Sequence, residues 1–246
     1  MSKFAVIIPA AGESSRFRGF RRKKPFVELK GRAIWLRTVD HFINRDDVSE
    51  VVLVLAKDDL EEFRERFQPN LTFMNIHIAE GGATRADSVQ NGIAALTKPA
   101  DYIAVHDAAR PLLTKAWISE LFETAMRKQA VIPAVAVSST VKKVDDSGRI
   151  QQTIDRTHLM LAQTPQVFRT EILKNAYQQA ETASGFTDEA SLVEATGQPV
   201  FVHEGWPANI KITTKQDFDL AEALLASLPT DAGLPGLHPF SEDRFS

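Results

Sequence analysis

The 246-residue chain contains no cysteine. This absence excludes disulfide bonds, thiolate nucleophiles, iron–sulfur clusters and zinc sites with cysteine ligands, and it fits a reducing compartment. Long apolar runs are missing too, since none approaches the roughly 20 residues that a membrane span requires. Met1–Lys3 leads directly into a strand-like run, without the layout of a signal peptide. We therefore expect a soluble, cytoplasmic protein with no membrane partner.

The sequence also lacks an excess of charge of one sign. Its 29 Lys and Arg residues face 32 Asp and Glu residues, for a formal net charge of −3. General nucleic-acid binders usually carry a strong basic excess, so we expect no nucleic-acid partner. With 43% hydrophobic and 25% charged residues, the composition is that of an ordinary globular protein.

Several signatures of catalytic classes are absent. The chain has no P-loop, no G-x-G-x-x-G fingerprint, no H-E-x-x-H and no G-x-S-x-G sequence. The six His residues are scattered without the spacing of metal ligands. His106 stands beside Asp107 at a strand end, where we expect it to orient its loop rather than to bind metal.

What is present is a regular alternation of buried strands and amphipathic helices. Strands are predicted at 4–8, 51–56, 73–79, 102–105 and 131–137, with helices at 34–43, 58–67, 84–96 and 116–127. This order predicts an α/β fold, with a Rossmann-like, mainly parallel sheet and helices on both of its faces.

The pattern changes after Val137. Residues 140–154 are polar and alternate around a turn at 146–148, which predicts a β-hairpin. Few apolar residues support this hairpin, so we expect an arm (138–158) that protrudes and packs on a second subunit in a homodimer. Helices are predicted at 171–181 and 188–196, a strand at 200–203, and a last helix that begins with a capping box at Thr214–Asp217. Together these elements complete a single domain (1–228), and we expect 229–246 to form a C-terminal tail.

Three loops fall at the carboxyl ends of predicted strands, where parallel sheets bind ligands. They span 10–24, 81–88 and 106–111, and the first contains a basic cluster, with six basic residues among the nine from Arg16 to Lys24. The small residues Ala10-Ala11-Gly12 let backbone N–H groups approach an anion, and Arg16 and Lys24 bring positive charge to it. The loops therefore favour a phosphate site over a merely solvated charge run.

The other two loops allow two interpretations each. Thr84-Arg85-Ala86-Asp87 has the spacing of a capping box. Gly81-Gly82 before it is either part of an ordinary helix cap or a second anion-binding turn. Asp107 is either a ligand for a hard cation such as Mg²⁺ or a carboxylate that bonds its own turn.

Seven segments stand in order from the first strand to about Leu228. They are Val6–Gly12 with Arg16 and Lys24, Gly81–Val89, Val105–Pro111, Asp155-Arg156, Gln163–Phe168, Thr187–Ala190 and Asn209–Thr213. Taken together, these segments resemble the 2-C-methyl-D-erythritol 4-phosphate cytidylyltransferase family.

The resemblance implies a homodimeric enzyme that transfers the cytidylyl group of CTP to methylerythritol phosphate and releases pyrophosphate. It also implies that the enzyme uses Mg²⁺ as its cofactor. It implies that Arg16 and Lys24 are catalytic. The residues that it assigns to CTP are Ala10, Ala11, Gly12, Gly81, Gly82, Arg85 and Ser88. The residues that it assigns to the sugar phosphate are Asp107, Arg110, Thr140, Arg156, Thr164 and Lys211, with Asp107 also the candidate metal ligand.

The sequence departs from the family at three places in the first loop. Ser14 stands where the family has a second Gly, Phe17 where it often has Met, and Lys23-Lys24-Pro25 replaces a Pro-Lys pair. We assign the catalytic role to Lys24 rather than Lys23 because Phe26 then matches an aromatic residue of the family.

Three alternatives remain at this stage. One is a sister cytidylyltransferase that acts on ribitol 5-phosphate, and another is a non-catalytic nucleotide-binding module. The third is a glycosyltransferase with an Asp-x-Asp metal pair. The only such string is Asp217-Phe218-Asp219, at the start of a predicted helix. Residues i and i+2 of a helix do not face each other, so we reject this string as a metal site.

Overall fold

The computed structural model describes residues 2–12, 26–180 and 185–228, and these form an α/β fold. The strands are β1 Phe4–Pro9, β2 Glu28–Leu29, β3 Arg32–Ala33, β4 Val48–Leu55, β5 Ile76–Glu80, β6 Tyr102–Val105, β7 Ala130–Ala136, β8 Val141–Val144, β9 Ile150–Ile154, β10 Met160–Ala162, β11 Gln166–Arg169 and β12 Phe201–Glu204. The helices are α1 Ile34–Asp40, α2 Leu60–Met74, α3 Arg85–Ala94, α4 Lys115–Lys128, α5 Thr170–Gln179, α6 Glu189–Glu194 and α7 Lys215–Leu225.

Eight strands form the main sheet, and β1 lies near its middle. β1 pairs in parallel with β4 and β6, β4 pairs in parallel with β5, and β7 pairs in parallel with β12. β11 runs antiparallel between β6 and β7, and β10 continues that antiparallel pairing along β7. The predicted mainly parallel sheet is confirmed, with these two antiparallel strands inserted in it.

Helices cover both faces of the sheet, as predicted. Side chains of β1 alternate between the two faces, because successive residues of a strand point to opposite sides. Phe4, Val6 and Ile8 pack with α1, α2 and α4 in one core cluster. Ala5 and Ile7 pack with α3, α5 and α6 in the other. Phe4–Ile8 of this central strand are therefore buried from both faces of the sheet.

The predicted hairpin is present as a separate two-stranded sheet of β8 and β9. Its turn is closed by Asp145, whose carboxylate accepts hydrogen bonds from the N–H groups of Ser147 at 3.1 Å and Arg149 at 3.0 Å. Val144 and Ile150 are 52% and 59% exposed, so the described chain leaves much of the apolar surface of this hairpin uncovered.

Two predicted element boundaries are wrong. The helix predicted to end at residue 67 continues through Pro69 to Met74, and Asn75 caps it in a left-handed conformation with φ of 50°. The strand predicted from Phe73 therefore begins only at Ile76. Phe73 is 73% exposed on this helix. The prediction had read this solvent-facing apolar residue as the start of the strand.

Within the part of the chain that the structure describes, no helix has the length and apolar content to cross a membrane.

Candidate active site

The predicted catalytic residues Arg16 and Lys24 lie outside the described residues, but both ends of their loop are described. The loop leaves the sheet after β1, and the described chain resumes at Phe26, which is 2% exposed. The Phe26 ring packs near Phe63 and Phe67, and the Arg66 guanidinium lies 5.6 Å from its centroid. A buried aromatic residue therefore fixes the chain just after the basic cluster.

The predicted nucleotide-binding turns meet at one point of the sheet edge. Both turns are hydrogen-bonded to the end of β4: Ala10 N donates to Val54 O and Gly81 N donates to Leu55 O, each at 2.7 Å. A Cβ atom added to Gly81 would lie 2.4 Å from Ala11 Cβ, so only glycine allows this approach. Because the Ala10 N–H already has a partner, Ala10 shapes the loop rather than offering a free donor.

The turn at Gly81-Gly82 leads into α3 through a tight cap. Gly82 N donates to Ser88 Oγ at 3.1 Å, and Ser88 Oγ donates to Thr84 O at 2.9 Å. The predicted capping box is confirmed, since Thr84 and Asp87 bond reciprocally. A Cβ added to Gly82 would lie 2.4 Å from Asp87 Cβ. The structure thus brings Ala11, Gly81, Gly82 and Ser88 together, as the sequence predicted.

A second group, the Asp107 cluster, consists of Asp107 with Arg85, Arg110 and Lys211. Lys211 Nζ lies 2.8 Å from Asp107 Oδ2, and Arg110 Nε lies 3.5 Å from the same oxygen. Arg85 Nε donates to Asp107 Oδ1 at 3.3 Å. Residues from three distant parts of the sequence therefore converge at the carboxyl end of β6.

The charges of this cluster keep Asp107 ionised. Burial alone would raise the pKa of Asp107, but the positive charges of Arg85 and Lys211 outweigh burial and hold it well below its usual range. Burial would lower the pKa of Arg85, and the carboxylates of Glu189 and Asp107 raise it instead. Lys211 is the most exposed of the cluster's side chains, at 39%. Its ammonium group is thus the cation best placed to meet an anion from solution.

Thr164 and His106 support the cluster from behind. Asp107 N donates to Thr164 Oγ1 at 3.1 Å, and Thr164 Oγ1 lies 2.9 Å from His106 Nδ1. His106 Nε2 lies 3.0 Å from Arg110 O. A neutral imidazole with its proton on Nε2 satisfies both contacts, since Thr164 then donates to Nδ1. His106 orients its loop, as predicted.

We expect the buried imidazole of His106 to make the stability of the fold depend on pH. Burial lowers the pKa of His106 to about 3, whereas an unfolded histidine titrates near 6.5. Between these values the unfolded chain binds the extra proton, so stability is lost as the pH falls below 6.5. We expect His106 to contribute a loss on the order of 2 kcal/mol between pH 6.5 and 5, measured by urea unfolding.

The matched comparison uses two variants. His106→Gln should flatten this dependence, whereas His158→Gln, at an exposed position, should retain it. Equal slopes for wild type and His106→Gln would contradict the assignment.

Glu189 joins the Asp107 cluster, although no sequence pattern assigned a role to it. Arg85 Nη1 donates to both of its carboxylate oxygens, at 2.7 and 3.0 Å. Glu189 is 1% exposed. The only sign in the sequence that Glu189 has a role was its place in the family-like segment Thr187–Ala190. Its position in the first turn of a helix gave no further sign, because an acidic residue there is ordinarily solvated.

Thr140 and Arg156 lie apart from this cluster. Both are exposed at the base of the hairpin, where Arg156 Nη1 donates to Val137 O at 2.8 Å and also contacts Ser138 O. In the described residues no hydrogen bond or ion pair joins either of them to the Asp107 cluster. Their assignment to the sugar phosphate stays a prediction.

The arrangement around Asp107 does not favour a metal ion there. Both of its oxygens contact cationic side chains, which would repel a divalent cation. Among the residues that the structure describes, no group of three or more His, Asp or Glu side chains is placed to hold a metal ion. Asp217, in the rejected Asp-x-Asp string, caps α7 by accepting from Thr213 and Thr214 N–H groups, each at 2.8 Å.

Sequence and fold both match known proteins over most of the chain. Residues 4–227 match the model of a family described as 2-C-methyl-D-erythritol 4-phosphate cytidylyltransferase. A protein of that name from Symbiobacterium thermophilum is 43% identical over 225 residues, 90% of this chain and 92% of that protein. One from Endomicrobium trichonymphae is 40% identical over 225 residues, 92% of this chain and 100% of that protein. The crystal structure of the Francisella tularensis protein is similar at a TM-score of 0.74 and 31% identity, covering 90% of this chain and 99% of that chain.

Proposed function

The chain belongs to the 2-C-methyl-D-erythritol 4-phosphate cytidylyltransferase family, and from that premise we infer how its residues serve the reaction. The protein transfers a cytidylyl group from CTP to 2-C-methyl-D-erythritol 4-phosphate (MEP) and releases pyrophosphate, in isoprenoid precursor synthesis. An oxygen of the MEP phosphate attacks the α-phosphorus of CTP, and the bond to the β-phosphate breaks.

The residue types suit this chemistry. An ionised phosphate is already a nucleophile, so the reaction needs two polyanions held together rather than a strong base. Positioning and electrostatic stabilisation of the charge on the α-phosphate carry such a step. In our proposal, Arg16 and Lys24 supply the stabilising charge at the triphosphate.

The proximity of the two turns and the Asp107 cluster is the observation that carries the proposal. Ala10–Gly12 and Gly81-Gly82 line the CTP side of the site. Hydrogen bonds of the Ala10, Gly81 and Gly82 N–H groups hold these turns in place, and Ser88 accepts the one from Gly82. Lys211 binds the MEP phosphate, and Asp107, Arg110 and Thr164 complete its pocket. Arg85 projects from the nucleotide side to Asp107, so it links the two halves of the site.

Mg²⁺ enters the proposal as part of the substrate. The side chains around Asp107 do not fit a divalent cation, so we assign Mg²⁺ to the triphosphate of CTP and derive no step through a protein-bound ion. When bound there, the ion neutralises charge on the phosphate oxygens.

We also propose that the protein acts as a homodimer in the cytoplasm. The exposed apolar residues of the arm, Val144 and Ile150, suit burial against a second copy. Thr140 and Arg156 stand at the base of this arm, and a crossing arm would bring them to the partner's sugar-phosphate pocket. In this proposal residues 1–228 are one catalytic domain, and residues 229–246 are a tail that lies outside the described residues.

The Arg156→Ala variant tests the role of the arm in the site. Loss of a cation that contacts the MEP phosphate should raise the KM for MEP by about 10- to 100-fold, with little change in the KM for CTP. Steady-state kinetics with each substrate varied in turn measure both values. An equal change in both KM values would show that Arg156 does not serve the sugar phosphate.

Mixing two impaired variants tests whether the arm crosses, provided that MEP is kept far below the raised KM of Arg156→Ala. If Arg156 acts in trans, a heterodimer of Arg156→Ala with Lys24→Ala carries both substitutions in one site and leaves the other site intact. Unfolding and refolding the mixture should then give more activity than either variant shows alone at that MEP concentration. If Arg156 acts within its own chain, the mixture stays as impaired as its components.

Substrate choice separates the proposed function from that of the sister enzyme. Pyrophosphate release from CTP should require MEP, and ribitol 5-phosphate should not replace it. Release with ribitol 5-phosphate but not with MEP would refute the proposed function.

A further inference from the structure

Glu189 is a buried carboxylate in the first turn of α6, with a 1% exposed side chain. Burying a charge is costly unless a partner satisfies it, and replacing a buried ion pair by apolar residues often stabilises a fold. A buried acid beside a substrate site therefore suggests a role other than stability. Its main partner is Arg85, which donates through Nη1 to both carboxylate oxygens.

Arg85 is shared between two carboxylates from different parts of the chain. While Nη1 bonds to Glu189, the Nε edge of the same guanidinium reaches Asp107 Oδ1 at 3.3 Å. The guanidinium is a rigid planar fork, so fixing one end of it fixes the direction of the other. Arg85 therefore makes only one long bond to Asp107, through Oδ1. The other oxygen, Oδ2, pairs with Lys211 at 2.8 Å and lies 3.5 Å from Arg110 Nε.

The backbone around Glu189 is itself held to the sheet. Gln166, at the start of β11 and 1% exposed, accepts from Ala190 N at 2.9 Å and donates to Asp188 Oδ2 at 2.8 Å. Thr164, two residues before Gln166, accepts from Asp107 N. One short segment of chain thus fixes the places of both carboxylates, and Arg85 spans them.

We propose that Glu189 is a positioning residue for MEP binding that acts through Arg85. Glu189 holds the guanidinium so that Arg85 makes a single hydrogen bond to Asp107 instead of a bidentate ion pair. Asp107 then keeps Oδ2 for Lys211 and holds that ammonium group towards the MEP phosphate. This inference rests on the proposed function, since it assumes that Lys211 binds MEP.

The isosteric variant Glu189→Gln gives a prediction of definite sign. Burial raises the pKa of Glu189, and the charge of Arg85 opposes that rise, so we count both carboxylates of the cluster as ionised. The three cations and two carboxylates of the enlarged cluster then sum to a charge of +1, and the variant raises this sum to +2. If charge alone mattered, the KM for the anionic MEP would fall. Positioning predicts the opposite: the KM for MEP should rise about tenfold or more, while the KM for CTP changes less than about threefold.

A double variant tests whether Glu189 acts through Arg85. Adding Glu189→Gln to Arg85→Gln should raise the KM for MEP no further, because the intermediary is already lost. The double variant removes both charges of the Arg85–Glu189 ion pair, so neither one is left buried without its partner. It should therefore fold even if one of the single variants does not. Glu194→Gln, at an exposed position of the same helix, is the matched control and should leave both KM values unchanged.

The outcomes separate the inference from the function on which it rests. An unchanged or lower KM for MEP in Glu189→Gln, equal changes in both KM values, or additive effects in the double variant would each overturn the role of Glu189. Each of these results leaves the proposed function standing. Absence of pyrophosphate release by the wild-type protein would overturn both.

Discussion

A Lys24→Ala variant is expected to lose about 10²–10³ in kcat, the range found when one preorganised donor to a developing oxyanion is removed. The proposed role of Lys24 is to meet charge that builds on the α-phosphate in the transition state. Its loss should therefore lower kcat and kcat/KM together rather than weaken CTP binding alone. Pre-steady-state and steady-state pyrophosphate release measure these values.

Lys23→Ala is the matched control, because it removes an identical side chain from the adjacent position. It should retain activity within about threefold of wild type. The choice between the two rests on Phe26, whose ring is buried in the core two residues after Lys24. A large loss in Lys23→Ala with near-normal activity in Lys24→Ala would reverse the assignment.

A Lys211→Met variant is expected to lower kcat/KM for MEP on the order of 10²-fold, mostly through KM. Methionine keeps the length of the side chain and removes the charge that the proposal places at the MEP phosphate. Asp107 still faces Arg85 and Arg110 after the change, so its carboxylate is not left unpaired. Thermal unfolding should therefore change little, which separates lost binding from lost folding.

Lys215→Met serves as the control for Lys211→Met. Lys215 begins α7 four residues later, is 56% exposed, and pairs with Asp219 rather than with Asp107. Its loss should leave kcat/KM for MEP within about twofold of wild type. An equal effect of both variants would mean that general positive charge, rather than Lys211 itself, attracts MEP.

The sequence predicted the features that depend on neighbouring residues. Apolar runs identified β1 and β4, and the capping boxes at Thr84 and Thr214 correctly marked the starts of α3 and α7. The rule that ligands bind at the carboxyl ends of parallel strands correctly grouped the loops after β1, β5 and β6. The contact between Ala11 and Gly81 bears out that grouping.

Features that depend on long-range contacts were not predictable from local patterns. Lys211 lies 104 residues from Asp107 along the chain, and only the family resemblance placed them in one pocket. Glu189 is 104 residues from Arg85, and no short pattern distinguishes its buried carboxylate from an exposed one. β11 was missed for a similar reason, since its four residues become a strand only through pairing with β6 and β7.

Direct observation of the product tests most sharply whether this site joins the two phosphates. Wild-type protein with CTP, Mg²⁺ and MEP can be followed by ³¹P NMR. We expect the MEP phosphate signal to be replaced by a pair of mutually coupled diphosphate resonances, together with one equivalent of pyrophosphate. Formation of CMP and pyrophosphate with unchanged MEP, or no reaction at all, would contradict transfer of the cytidylyl group to MEP.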